Sequence, residues 1–398
     1  MNDLPRYRGV GAHMANKTKA SLKTRSSNNG QPEPEEHKYQ HIFASLQEGI
    51  ASGRYAVGSR LPSELELVRR FDVCRVTAAK AIKKLQQLGL VERRIGSGTY
   101  VRAQPADTSR LFGLLIPELG QTEIFEPICR GMAGFPLATR NSLLWGSSIG
   151  VNEPKEQIAE ELCQQYISER VSGVFFAPLE LVAGMDEVNR KIAAMLDRAR
   201  IPVVLLDRCF MQYPARSKYD LVGIDNRRTA YAAVEHLVKV GAKKIAFLGK
   251  PYSAQTVDAR IAGYREALLA HGLNREGDLL FRCDPEDSRQ IGRIIKRNKP
   301  HAFLCANDHT AANLMRTLIA LGISIPETVK IVGIDDVKYA SLLPIPLTTQ
   351  HQPCVDLGRI AMTTMINRLE SPDLPVRDIS LQCRLVVRKS CGGRLAEA

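Results

Sequence analysis

The residues of this 398-residue chain that suit a defined chemistry lie first between Leu61 and Arg102. Arg75, Thr77, Lys80 and Lys84 fall on one side of a helix expected from about Val76 to Leu88. Their types fit a nucleic acid. Thr bonds phosphate or base, Lys neutralises phosphate, and Arg bonds guanine bidentately. Two short β runs follow, Leu90–Ile95 and Thr99–Arg102, around Gly96-Ser97-Gly98. That pattern reads as a hairpin. Arg93, Arg94 and Arg102 make it basic, and its small tip can approach a phosphate or enter a minor groove.

The elements that must hold these residues are written just upstream. Pro62 sits inside a helix start, where its missing N–H costs nothing. Ser63 and Glu66 have the spacing of a capping pair. Leu65, Val68 and Phe71 are expected to face inward from this helix, leaving Arg69 and Arg70 outside. Asp72-Val73-Cys74 is a short break. The second helix is expected to pack through Val76, Ala78, Ala81, Ile82, Leu85 and Leu88 and to stop at Gly89. Two helices joined by so short a turn form a helix-turn-helix, whose second helix lies in the major groove. A preceding helix, Tyr39–Ser52, shows Ile42, Leu46 and Ile50 on one face. A helical pair with surface lysines is common by itself. It is the order of cap, turn, basic helix and basic glycine-tipped hairpin that points to DNA.

This stretch resembles the winged-helix domain of GntR-type bacterial regulators. The resemblance rests on Leu61-Pro62-Ser63-Glu64, on Val73, Arg75 and Thr77 at the turn and helix start, and on the run Leu88–Val101, and it spans about Lys38 to Arg102. It implies a DNA-binding set of Ser63, Arg75, Thr77, Lys80, Lys84, Arg93, Arg94, Gly96, Ser97 and Gly98. Two positions depart from the family. Leu65 stands where Arg usually follows the Ser-Glu pair, and Ala79 where many members carry Arg. Arg75 is the matching arginine that remains, and Lys80 is expected to stand in for an arginine at position 79.

Composition agrees with this placement. The net charge is +13, and residues 37–104 carry twelve Lys/Arg against five Asp/Glu. The remaining 294 residues after them carry 37 against 33, so the excess is concentrated where DNA is expected. Nine cysteines, an odd number with no CxxC pair, fit a reduced cytoplasmic protein. Cys129, Cys163, Cys305 and Cys383 read as small core residues. There is no apolar run of membrane-spanning length and no apolar signal-peptide core. No GxSxG, Walker loop or zinc spacing is present, and no enzyme, cofactor or metal is expected.

From Leu111 the pattern becomes strands alternating with helices. Apolar runs occur at Leu111–Ile116, Leu143–Trp145, Gly173–Ala177, Val203–Leu206, Ile245–Leu248, Ala302–Ala306 and Lys330–Ile334. Helical segments between them include Pro154–Glu169, Thr229–Val240, Ala259–His271, Thr310–Leu321 and Val355–Leu369. Such alternation implies parallel sheets of an α/β fold. Nearly 300 residues exceed one common domain, so two doubly wound lobes around a cleft are expected, with ligands at the carboxyl ends of the strands.

This region resembles the effector domain of LacI-type repressors, which has the fold of periplasmic sugar-binding proteins. Ile201–Arg208, Val222–Gly249, Arg260–Leu268, Phe303–Asp336 and Pro346–Pro353 carry the resemblance. The whole chain is similar to GntR/LacI hybrids, the arabinose-responsive repressors matching best. The resemblance implies ligand contacts at Asp207, Arg260, Asn307, Asp335 and Gln352, with Phe125 or Phe176 stacking on a sugar face. Carboxylate, amide and guanidinium groups suit a polyhydroxyl ligand.

The expected plan is a disordered arm at 1–36 with a second candidate start at Met14, a winged helix-turn-helix at 37–103, a linker at 104–110, a two-lobed sugar sensor at 111–390 and a tail at 391–398. The expected protein is a cytoplasmic homodimeric repressor of carbohydrate genes that binds operator DNA under control of a small sugar, away from any membrane. A purine corepressor is the alternative of the same class. A sugar-binding protein whose N-terminal domain makes only protein contacts is the alternative of another class.

Overall fold

The computed structural model describes residues 35–87, 89–94, 96–102, 110–116, 123–135, 141–146, 154–273 and 277–393. The expected arm before residue 35, the linker, Leu88 and most of the C-terminal tail lie outside them. The chain divides into two compact units, Met1–Asp107 and Thr108–Ala398.

The first unit is a winged helix. Its helices are α1 (Glu35–Ala51), α2 (Glu64–Phe71) and α3 (Arg75–Gln87), followed by β1 (Val91–Arg94) and β2 (Gly98–Val101). Ser63 caps α2 as its spacing predicts. Its hydroxyl accepts from the Glu66 N–H at 3.3 Å, and the Glu66 carboxylate accepts from the Ser63 N–H at 2.6 Å. Asp72 ends α2 in the left-handed region at φ 49°. The strands pair antiparallel from Val91↔Val101 to Arg94↔Gly98. The core joins Ile42 and Leu46 of α1 to Leu67, Ala78, Ala81, Ile82 and Leu85.

Two inward faces differ from expectation. Leu67, not Leu65, is the buried residue of α2, and Leu65 is 59% exposed. Val76 is 71% exposed while Thr77 is buried. Each helical step turns the side chain by about 100°. In α3 the inner stripe therefore runs through Thr77, Ala78, Ala81, Ile82 and Leu85, one position later at its start than hydrophobicity alone suggests. Thr77 is accommodated there because its hydroxyl lies 3.1 Å from the Cys74 thiol.

The second unit begins with a parallel βα series: β3 (Arg110–Leu115), α4 (Phe125–Ala133), β4 (Asn141–Leu144), α5 (Lys155–Ser168), β5 (Gly173–Phe176), α6 (Met185–Arg198), β6 (Val203–Leu206) and β7 (Asp220–Ile224). The chain then crosses to a second lobe: α7 (Asn226–Lys239), β8 (Ile245–Gly249), α8 (Gln255–Ala270), β9 (Leu279–Arg282), α9 (Ser288–Asn298), β10 (Ala302–Cys305), α10 (Asp308–Ala320), β11 (Lys330–Asp335) and β12 (Thr348–His351). It returns through α11 (Cys354–Glu370) and β13 (Asp378–Leu381) and crosses a third time into β14 (Arg384–Val386).

The sheets run β13-β7-β6-β5-β3-β4 and β14-β12-β11-β10-β8-β9. All pairs are parallel except β12 with β14. Strands β5, β6 and β10 are buried at every residue, because helices cover both faces of each sheet. Each sheet separates two apolar clusters, Phe112–Met365 and Leu115–Phe210 residues in the first lobe, Phe247 and Tyr264 against Phe303 and Leu314 in the second. The three crossovers, after Ile224, His351 and Leu381, join the lobes beside the carboxyl ends of their strands.

Candidate nucleic-acid face and ligand cleft

Arg75, Lys80 and Lys84 are exposed on α3, as their spacing predicts, and Lys83 joins them. Thr77 does not. It is 5% exposed and belongs to the core face, which corrects its expected place on the groove side. The Arg75 side chain is 73% exposed, and its Nε lies 3.1 Å from a Glu64 oxygen. The other Glu64 oxygen is 3.5 Å from Arg93 on β1. Glu64 thus aligns two predicted DNA contacts from different elements. Sequence reading missed it because it sits in the capping stretch of α2, a third element. Ser63, in the expected set, is engaged in the cap. Lys80 Nζ is 5.9 Å above the Tyr39 ring.

The wing tip has Gly96 at φ 75° and Gly98 at φ 126°. At Gly98 the backbone itself favours glycine, and a Cβ would also displace the Arg60 guanidinium from 2.6 Å. Ser97 is exposed, its hydroxyl 2.7 Å from Tyr100 OH. Arg94 stacks on Tyr100 at 4.7 Å and pairs with Glu92 at 2.6 Å.

In the second unit the strand ends bring Asp207, Asp335 and Gln352 together with Arg260 of α8, at the carboxyl ends where open α/β sheets bind ligands. Asp207 follows β6 with φ 66°, Asp335 ends β11 with φ 129°, and Asp336 has φ 58°. Three non-glycine residues at positive φ at strand ends are strained backbone of the kind that clusters at binding sites. Arg260 Nε donates to Asn226 at 2.8 Å, a second nitrogen donates to the Ala306 carbonyl, and a third lies 3.9 Å from Asp335. Gln352 Nε2 donates to Asp335 at 2.6 Å. Asn307 caps α10 by accepting from Thr310 N–H at 2.9 Å, so its oxygen is committed to structure.

Two residues complete this network without having been singled out in the sequence. Arg208 is buried, ion-paired to Glu180 and to Asp207 at 3.1 Å, and sits 5.7 Å over the Phe125 ring. Glu180 in turn accepts from the Ala254 N–H of the other lobe at 3.3 Å. Phe125 is therefore a floor beneath Arg208, buried in the first-lobe core. Phe176 is fully buried beside Phe210 and is no stacking platform. Its place in an all-buried parallel strand explains why.

Burial pushes Asp207 and Asp335 above the usual carboxylate range, against the pull of nearby arginines. Burial acts the same way on Glu180, but Arg208 outweighs it and holds that carboxyl below its ordinary value. The guanidinium hydrogen bonds are largely spent within the protein. Asp207 Oδ1 and Gln352 Oε1, both buried, have no protein partner. Two unmatched buried acceptors at the strand ends suit a ligand that donates hydrogen bonds.

A winged helix joined to a two-lobed α/β binding module defines a class of ligand-responsive DNA-binding proteins. Comparison with known proteins agrees. Residues 38–101 match the family described as bacterial regulatory proteins, gntR family, and residues 234–391 match a periplasmic binding protein-like domain. The chain thus carries a GntR-type DNA-binding domain and a periplasmic-binding-protein-like domain. It is 26% identical to an arabinose metabolism transcriptional repressor of Geobacillus stearothermophilus, over 89% of this chain and 97% of that one. It is 25% identical to the HTH-type transcriptional repressor PurR of Vibrio atlanticus, over 80% and 90%. A LacI family transcriptional regulator of Enterococcus faecium with bound ribose shares the fold, with a TM-score of 0.57 at 23% identity, covering 71% of this chain and 98% of that one.

Proposed function

We propose that this protein is a transcription repressor of carbohydrate-utilisation genes whose affinity for operator DNA is changed by a small uncharged sugar. The winged unit, bounded near residues 37–103, reads DNA through Arg75, Lys80, Lys84 and the basic wing. The two-lobed unit, 111–390, senses the sugar and carries no catalysis. A cytoplasmic homodimer would place two heads on a palindromic operator. The carrying observation is the pair of unpartnered buried acceptors, Asp207 Oδ1 and Gln352 Oε1, beside strained strand ends. Vicinal hydroxyls supply the donors that these atoms lack. The likeness to an arabinose repressor and to a ribose-bound regulator supports the same reading.

The alternative of the same class is a purine corepressor, with HTH-type transcriptional repressors named PurR among the relatives. A thermal-shift screen with pentoses, hexoses, disaccharides and nucleobases separates the two. A bound ligand must raise Tm by mass action. A pentose hit supports the sugar reading, and a response to purines alone overturns it while leaving the regulator intact. Arg75→Ala with Lys80→Ala should abolish operator binding and leave the ligand-induced Tm shift unchanged. Retention of operator affinity in that double variant would sink the DNA-binding assignment.

A further inference from the structure

The second residue of the recognition helix is apolar and outward. Val76 is 71% exposed, on the face that carries Arg75, Lys80 and Lys83. Ala79 lies one turn further along the same face and is half exposed. An isopropyl group followed by a methyl therefore interrupts an otherwise basic surface. Residues at the start of such a helix meet base edges in the major groove. Of the groups that bases present there, the thymine 5-methyl is the apolar one.

We propose that Val76, with Ala79 beside it, selects a thymine in each half-site by packing on its 5-methyl group. Facing a purine, the isopropyl group would cover a donor or acceptor that it cannot satisfy, which is costly to leave unmade, and facing cytosine it would find no methyl group to pack on. Facing thymine it removes apolar surface from water instead. The short Ala79 side chain leaves that approach open, where an arginine would fill it. The specificity at this step is thus carried by shape and methyl contact, while Arg75 supplies hydrogen bonding one residue earlier. This inference rests on the DNA-binding reading above.

The test uses the full-length protein. Its preferred duplexes are selected from a random DNA library, and each thymine is then replaced singly by deoxyuridine, which removes only the methyl group. One thymine per half-site should be sensitive, its replacement weakening wild-type binding about fourfold, as expected for one buried methyl group. Val76→Ala should bind thymine and deoxyuridine at that position equally, and Val76→Ile should keep the preference. Since Val76 is largely exposed, these variants should fold normally, and circular dichroism melts would check that. Indifference of wild type to every replacement would overturn the proposal. So would a Val76→Ala protein with undiminished methyl sensitivity. Selection of no sequence at all would bring down the DNA-binding reading, and this inference with it.

Discussion

Arg208 shows how much of the cleft hangs on a single buried cation. It lies between the carboxylates of Glu180 and Asp207 and covers the Phe125 ring. Replacing it by Met would keep the bulk but leave two acids without their counter-charge. Breaking a buried ion pair on one side costs about 3–5 kcal/mol. Arg208→Met should lose stability on that order in urea denaturation at neutral pH, and recover part of it as acid protonates both carboxyls. A melt indistinguishable from wild type would show that the acids do not depend on this cation. Arg208 could not be read from the sequence as a site residue, because its partner Glu180 stands 28 positions upstream and no periodicity links them. Asp207, Arg260, Asp335 and Gln352 were legible through family resemblance, and the structure brings them together. The Val76 and Thr77 exchange was hidden for a different reason. A buried threonine satisfied by a local bond looks, by composition, like a surface residue.

At the scale of elements, the apolar strands were legible and the polar ones were not. Strands β5, β6 and β10 are short, wholly buried apolar runs, so hydropathy marks them. Strand β12 reads Thr-Thr-Gln-His and is almost wholly buried all the same. Its two threonines are satisfied internally: Thr348 Oγ1 donates to the Arg388 carbonyl at 3.1 Å, and Thr349 Oγ1 donates to Asp308 at 2.6 Å. No hydrophobic pattern announces such a strand. Asp308, the first residue of α10, also accepts from Val337 N–H after β11 at 3.1 Å, tying three elements at the base of the cleft. Burial pushes its carboxyl up to about 6. The folded state therefore holds this proton more tightly than the unfolded chain does. Between about pH 4 and 6 the unfolded chain has released the proton and the folded state has not, so stability falls as pH rises through that window and stays lower above it. Asp308→Asn keeps the shape and removes the titration. Its Tm relative to wild type should rise from pH 4 to pH 6 and then level off, as read by calorimetry. A difference that does not change with pH would mean that Asp308 titrates alike in both states.

At the scale of the whole two-lobed unit, three contacts among the described residues join the lobes away from the crossovers. Lys338 Nζ lies 3.0 Å from Glu126, Glu180 accepts from Ala254 N–H at 3.3 Å, and Leu181 N–H donates to the Tyr252 carbonyl at 2.7 Å. The Lys338 pair is exposed on both sides, and its approach holds the Glu126 carboxyl below the ordinary range. Such a pair contributes little to global folding. It exists only while the lobes are close, so, if the proposed sugar acts by closing the lobes, its effect falls on that closure. Lys338→Ala should leave the ligand-free melting temperature within a degree or two, by the same small worth of exposed pairs. It should weaken binding of the sugar identified by the thermal-shift screen severalfold, with L-arabinose and D-ribose as the first probes. Effector and operator affinities are linked reciprocally, so the sugar concentration needed to change operator binding should rise by a similar factor. Titrations of sugar by calorimetry and of operator by fluorescence anisotropy would give both numbers. If sugar affinity is unchanged, the Lys338–Glu126 contact plays no part in closure. If sugar affinity falls while the operator response does not move, the cleft and the winged unit are not coupled through lobe closure.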